Sequence, residues 1–157
     1  MDKILRQVYA EFRFPVGIMT TVVKKNNGML IKGDLRGCTI SSFRVLEDDK
    51  CFFSFNKTRI MASALDKDFA FHYLISEQME LAKKFSLNGM SCEDQFTDVK
   101  YEMRNGLPVL MDYHSLVIGT ICETLDVGDC LVYIGKVEFA ECLKDQPILH
   151  YKHRKFS

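Results

Sequence analysis

Period two governs this chain more than any other pattern. Val16, Ile18, Thr20 and Val22 alternate with Gly17, Met19, Thr21 and Val23, and Asn26-Asn27-Gly28 follows as a turn tolerant of positive φ. That is the pattern of a hairpin whose second strand begins near Met29. Arg36 to Phe43, Cys51 to Phe55, Phe69 to Leu74, Ser115 to Glu123 and Leu131 to Ala140 are further short runs rich in β-branched or aromatic residues. About seven strands result, which predicts a mainly β, antiparallel fold. Along Leu131 to Phe139, one face carries Leu131, Tyr133, Gly135, Val137 and Phe139, and the other Val132, Ile134, Lys136 and Glu138. Cys51 to Phe55 and Ser115 to Cys122 are instead apolar on both faces, so something must cover their outer side. Bracketing helices, a bound ligand or a second subunit would each do so.

Three short helices fit between the strands. Asp2 to Glu11 opens the chain, Arg59 to Asp66 follows Thr58 as N-cap, and Glu77 to Phe85 follows Ser76 as N-cap. In the last, Glu77 and Glu80 lie near the start, Lys83 and Lys84 near the end, and Asn88-Gly89 stops the helix, in agreement with the macrodipole and C-cap rules. Such helices connect strands and cap a barrel. Leu87 to Pro108 has no period, and an unpatterned loop of that length is expected to be a lid over a site. No repeat or linker divides the 157 residues, so residues 1–157 read as one domain.

Charge and cysteine usage narrow the functional classes. Lysine plus arginine (21) cancels aspartate plus glutamate (21), so no net field draws the chain to nucleic acid or an anionic membrane. The first residues break into charges at once and no run approaches the ~18 apolar residues of a membrane span, so a cytoplasmic protein is expected. Six cysteines without any Cys-x-x-Cys spacing read as reduced thiols, most of them packing as small hydrophobes. His150-x-x-His153 lacks cysteine or carboxylate neighbours, so no metal is expected there. The chain has no tryptophan, P-loop or nucleophile elbow, and it must borrow its reactivity.

Two segments suggest what is borrowed. Cys38, Thr39, Ile40, Ser41 and Ser42 place small hydroxyl residues in an apolar strand, where backbone N–H groups and hydroxyls can meet a flat ligand. Asn56, Lys57 and Thr58 place a cation and a hydroxyl between a strand and a helix start, a setting that attracts phosphate. Either segment also reads as ordinary structure, an edge strand or a plain N-cap. Micromolar affinity corresponds to about −8 kcal/mol and a charge-assisted hydrogen bond to roughly 1.5–3, so ring and phosphate contacts must act together. His72 lies in an alternating strand and reads as a core histidine.

The order of motifs resembles the flavin reductase-like family, proteins built on an FMN-binding split barrel. Phe14-Pro15-Val16-Gly17-Ile18 resembles its opening strand, and Gly37-Cys38-Thr39-Ile40-Ser41-Ser42-Phe43 its flavin-contacting strand. Phe69 to Gln78 with Leu81 to Phe85, then Gly106 to Leu110, then Gly128-Asp129-Cys130 with Ile134 to Val137, and Pro147 to Tyr151 are similar to later family segments, in family order. The resemblance implies an antiparallel split β-barrel with a few capping helices. It implies a homodimer with FMN, or FAD, near the interface, hydride transfer from NAD(P)H to the ring, and release of reduced flavin to a monooxygenase or other acceptor. Thr39 to Ser42 would lie along the flavin, Asn56, Lys57 and Thr58 near its phosphate, and His150 and Tyr151 on the nicotinamide side, with no obligatory catalytic side chain. Departures fall at Val16, Tyr73, Cys130 and the stretch Arg44 to Lys50. Those on the nicotinamide side keep two alternatives in view: a flavoredoxin-like electron carrier that does not use NAD(P)H, and a non-catalytic flavin-binding dimer. Replacing Lys57 by Ala is expected to weaken FMN binding by about 1.5–3 kcal/mol, read by titration.

Overall fold

The computed structural model describes residues 2–23 and 35–157, so the Asn26-Asn27-Gly28 turn and the strand start near Met29 lie outside the described residues. The elements are α1 (Lys3–Glu11), β1 (Phe14–Pro15), β2 (Gly17–Val22), β3 (Leu35–Ile40), β4 (Arg44–Val45), β5 (Lys50–Asn56), α2 (Ile60–Ala64), β6 (Asp68–Tyr73), α3 (Met79–Ser86), α4 (Cys92–Phe96), β7 (Tyr101–Arg104), β8 (Leu107–Leu110), β9 (Ser115–Val127), β10 (Cys130–Cys142), β11 (His150–Lys152) and β12 (Lys155–Phe156). Seven strands form one antiparallel sheet in the order β3-β2-β6-β9-β10-β5-β4. The short strands that local patterning missed make a three-stranded sheet, β1-β11-β12, and the hairpin β7-β8. No helix among the described residues is long and apolar enough to cross a membrane.

The two edges of the main sheet, β3 and β4, are joined by only Ser41, Ser42 and Phe43. A link that short spans at most about 14 Å, so the sheet curls and the ends of its two edge strands lie near one another. Ser42 laces the gap: its hydroxyl donates to the Ser54 carbonyl (3.0 Å) and accepts from the Ser54 N–H (3.1 Å). Among the described residues no ladder joins β3 to β4.

Aromatic rings fill the concave side. Phe43 stacks on Phe71 with centroids 4.0 Å apart, and Phe53 contacts Phe69 edge-on at 5.0 Å and stacks on Tyr133 at 5.1 Å. Such pairs add roughly 0.5–1.5 kcal/mol each beyond their burial. Glycine at position 17 is required by this filling, because a Cβ there would stand 2.2 Å from the Phe71 ring.

On the convex side, Val16, Ile18, Leu74, Leu116 and Ile118 pack under Phe85 of α3, Phe96 of α4 and Leu107, Val109 and Leu110 of β8. The chain's own helices and β8 therefore cover the first half of the doubly apolar Ser115 to Cys122 run. The outer side of β5 differs. Phe52 lies opposite Ile134, and Val132 lies opposite Ser54 and Leu125, which gives a half-apolar outer stripe across β5, β10 and β9 with Leu125 43% exposed.

Four local expectations are corrected. The second helix is only Ile60–Ala64, with Arg59 rather than Thr58 at the N-cap, because the Asn56 side chain already holds Thr58: Asn56 Oδ1 accepts from the Thr58 N–H (3.0 Å) and hydroxyl (2.8 Å). The third begins with a 3-10 turn, Ser76–Gln78, whose start is closed not by Ser76 but by Gln78, which accepts from the Ile75 N–H through Oε1 (3.0 Å). The expected lid is a packed segment holding α4, β7 and β8, with Gln95 and Phe96 both buried. Of the cysteines, only Cys38 and Cys51 are buried, while Cys122 and Cys142 are exposed.

His72 is a core histidine, as its alternating strand indicates. Its Nδ1–H donates to the Ile18 carbonyl (2.9 Å) and Nε2 accepts from the Leu110 N–H (3.1 Å). A carbonyl only accepts and an amide N–H only donates, so the ring is neutral with its hydrogen on Nδ1. Burial pushes its pKa down from 6.5 to about 4. The unfolded chain takes up this proton near pH 6.5 and the folded one only near 4, so the contribution is complete above pH 6.5 and declines as pH falls through that window. Urea unfolding at about pH 5 should give a stability roughly 2 kcal/mol below that at about pH 7.5. The difference should shrink in His72→Asn.

Candidate functional site

The site is built from the free edge of β3. Val16 accepts from the Leu74 N–H through its carbonyl (3.2 Å), so even-numbered positions of β2 bond towards β6 and odd-numbered ones towards Arg36, Cys38 and Ile40. Antiparallel pairing alternates, and Gly37, Thr39 and Ser41 therefore turn their backbone groups outwards. Gln95 of α4 meets the first of these: its Oε1 accepts from the Gly37 N–H (2.8 Å) and its Nε2 donates to the Gly37 carbonyl (2.7 Å). Glycine is needed at 37 because a Cβ would lie 2.5 Å from the Phe85 ring.

One step along, the edge is open. Apart from a long contact from the Cys38 thiol to the Thr39 carbonyl (3.5 Å), the outward Thr39 backbone meets no hydrogen-bond partner among the described residues, and Thr39 lines a cavity of about 290 Å3. Thr39, Ile40 and Ser41 line one side, Val16 and Ser86 flank it, and Tyr151, Arg154 and Phe156 from the β11-β12 hairpin close it. The Thr39 hydroxyl donates to the Ala82 carbonyl of α3 (2.7 Å), which fixes the strand against that helix. The hairpin turns at His153 (φ 51°) and Arg154 (φ 62°), both left-handed. Asn-Gly would make that turn cheaply, whereas each of these residues costs on the order of 1 kcal/mol. Arg154 is one of the residues that line the cleft.

The structure brings Thr39, Ile40, Ser41 and Tyr151 together and leaves the other expected site residues outside the cavity wall. The Cys38 side chain points into the aromatic core, where burial pushes its thiol pKa up against the lowering effect of Arg59, whose Nη2 lies 3.1 Å from Sγ. Ser42 is engaged with Ser54 as described. Asn56 and Thr58 bond to each other, and Lys57 pairs with Asp126 (2.7 Å) at the surface. This turn reaches the cleft only through Arg59, whose Nη1 donates to the Ser86 carbonyl (3.0 Å). With α2 five residues long, the macrodipole expected at Thr58 is small. His150 Nδ1 donates to the Ile148 carbonyl (2.8 Å), which leaves Nε2 as the nitrogen able to accept when the ring is neutral.

Ser86, Arg154 and Phe156 escaped the sequence reading. Tyr151 and Phe156 bracket a two-residue turn, but His-Arg lacks the Asn-Gly signature that announces such a hairpin. For Ser86 no local signal exists, since only the packing of α3 on β3 carries it to the cleft.

Residues 9–157 match the model of the flavin reductase like domain, and the chain belongs to that family. Its fold is similar to a flavin reductase domain protein from Arthrobacter sp. FB24, with TM-score 0.86 and 19% identity over 100% of this chain and 94% of that one. It is also similar to the flavin reductase HpaC complexed with NADP+, with TM-score 0.80 and 25% identity over 100% of this chain and 97% of that one. A third similar structure is the styrene monooxygenase flavin reductase from Pseudomonas putida S12, with TM-score 0.80 and 20% identity over 98% of this chain and 95% of that one. No curated protein sequence matches the chain.

Replacing Gln95 by Ala leaves the Gly37 N–H and carbonyl buried without partners, which should destabilise the protein by about 2–4 kcal/mol in urea unfolding.

Proposed function

We propose that the protein binds a flavin, FMN first and FAD as an alternative, along the outward edge of β3 and transfers hydride to it from NAD(P)H as a flavin reductase. The observation that carries this reading is the unpaired Thr39 backbone at the floor of a cleft faced by Tyr151 and Arg154. A peptide N–H and C=O side by side suit the alternating donors and acceptors of a flavin's polar ring edge. Membership of the flavin reductase like domain family supports the same reading.

When bound, the flavin supplies a ring that accepts hydride, and the chain supplies orientation and exclusion of water. Thr39, Ile40 and Ser41 hold the ring through backbone groups, with Cys38 and Ser42 supporting that strand from either side. Ser86 leads from the ring towards Asn56, Lys57 and Thr58, so the phosphate end runs that way. The Lys57 charge is already shared with Asp126, and its removal belongs at the low end of the loss given above. Tyr151 and His150 lie on the nicotinamide side. The outer stripe of Phe52, Val132, Ile134 and Leu125 supports a homodimer with the cleft near the subunit boundary. The reading is completed by a cytoplasmic setting and by reduced flavin passing to a monooxygenase or another acceptor.

Purified protein should oxidise NADH or NADPH, followed by loss of nicotinamide absorbance, only when FMN or FAD is added. A protein that turns yellow with FMN, refuses both nucleotides and is reduced by dithionite is an electron carrier instead. Failure to bind flavin at all would overturn the site.

A further inference from the structure

The β3 cleft has a neighbour with which it shares two wall residues. Tyr151 and Arg154 also line a second cavity, of about 380 Å3, between α1 and the β11-β12 hairpin. Tyr9, Phe12 and Phe14 form its aromatic wall, Arg6, Lys152 and Arg154 supply cations, and no carboxylate lines it. Glu11, outside the wall, approaches Lys152 Nζ only to 3.9 Å and His153 Nε2 to 3.6 Å.

Two of the rings, Tyr9 and Phe12, stay largely open to solvent. No side chain of α1 is buried, Tyr9 is 57% and Phe12 56% exposed, and the Tyr9 and Phe14 rings lie 5.2 Å apart at a 31° tilt. Open aromatic faces take a planar partner by stacking, and cations beside them take phosphate. A wall without carboxylates disfavours a cationic ligand. The volume falls within the range of small-molecule sites.

Resting on the flavin reductase reading, we propose that this second cavity receives the adenosine phosphate half of a dinucleotide whose reactive half lies in the β3 cleft. Tyr9 and Phe12 stack on the purine, and Arg6 and Arg154 hold the phosphates. NAD(P)H carries this group away from the flavin's phosphate end, whereas the adenosine phosphate of FAD would follow that end towards Lys57, and the test separates the two.

Tyr9→Ala and Arg6→Ala alter exposed positions of α1, and an unchanged thermal unfolding midpoint checks that they fold. AMP and ADP-ribose are titrated calorimetrically into wild type and variants without flavin. Wild type should bind both, and each variant should bind about tenfold more weakly. If the group belongs to the donor, Tyr9→Ala raises the ratio of KM for NADH to KM for reduced nicotinamide mononucleotide. If it belongs to the flavin, the same variant loosens FAD relative to FMN. Wild type that binds neither probe, or variants that bind them as wild type does, overturns the proposal. Because AMP binding needs no turnover, a chain that holds AMP through Tyr9 yet oxidises neither nucleotide keeps this subsite and loses the reductase reading. A working reductase indifferent to Tyr9 and Arg6 does the reverse.

Discussion

The filling of the concave face by aromatic rings is the constraint from which the remaining geometry follows. Phe43, Phe53, Phe69, Phe71 and Tyr133 come from three different strands and the β3-β4 link, and each is buried. Rings of that size cannot be covered by a flat sheet, so the seven strands wrap around them and bring β3 back beside β4. The curl leaves β3 paired with β2 on one side and, among the described residues, without a strand partner on the other. An unpaired edge is normally a liability in a β protein. Here one part of the edge is closed by a side chain, and the next part opens onto the cleft.

That closure explains why the cleft can be precise. Gln95 imitates a neighbouring strand at Gly37, and Thr39 is tied to α3 through Ala82. Arg59 joins Ser86 to Cys38 across the same corner. Three separate elements therefore hold β3 from behind, and the groups that face a ligand are backbone atoms that have no rotamer freedom to lose. Sites held by such a supporting shell keep their geometry better than sites on loops. The opposite wall, the β11-β12 hairpin, is short and set by two left-handed residues.

Much of the fold was legible in local patterning because strands with one core face keep period two and strands buried on both faces show as short runs rich in β-branched and aromatic residues. Val16 to Val22, Cys51 to Phe55, Phe69 to Leu74 and Leu131 to Ala140 all lie in or overlap observed strands. Patterning failed where a side chain did work that spacing does not encode. Asn56 captured Thr58 and displaced the helix start, Gln78 replaced Ser76 at the next one, and the apparently formless stretch from Leu87 carries Gln95, whose partner is 58 residues away. In the candidate site, Thr39 to Ser41 and Tyr151 were legible through motif order. Ser86, Arg154 and Phe156 were not, because they reach the cleft only after α3 and the C-terminal hairpin have packed.

Alternation, charge balance and motif order by themselves determined a mainly β chain of the flavin reductase-like kind, since each depends only on neighbours in sequence. Tertiary structure alone decided which residues of β3 turn outwards, which of them Gln95 closes, and which wall faces Thr39. Edge direction depends on register against β2 and β6, and register is a property of paired strands rather than of any one segment.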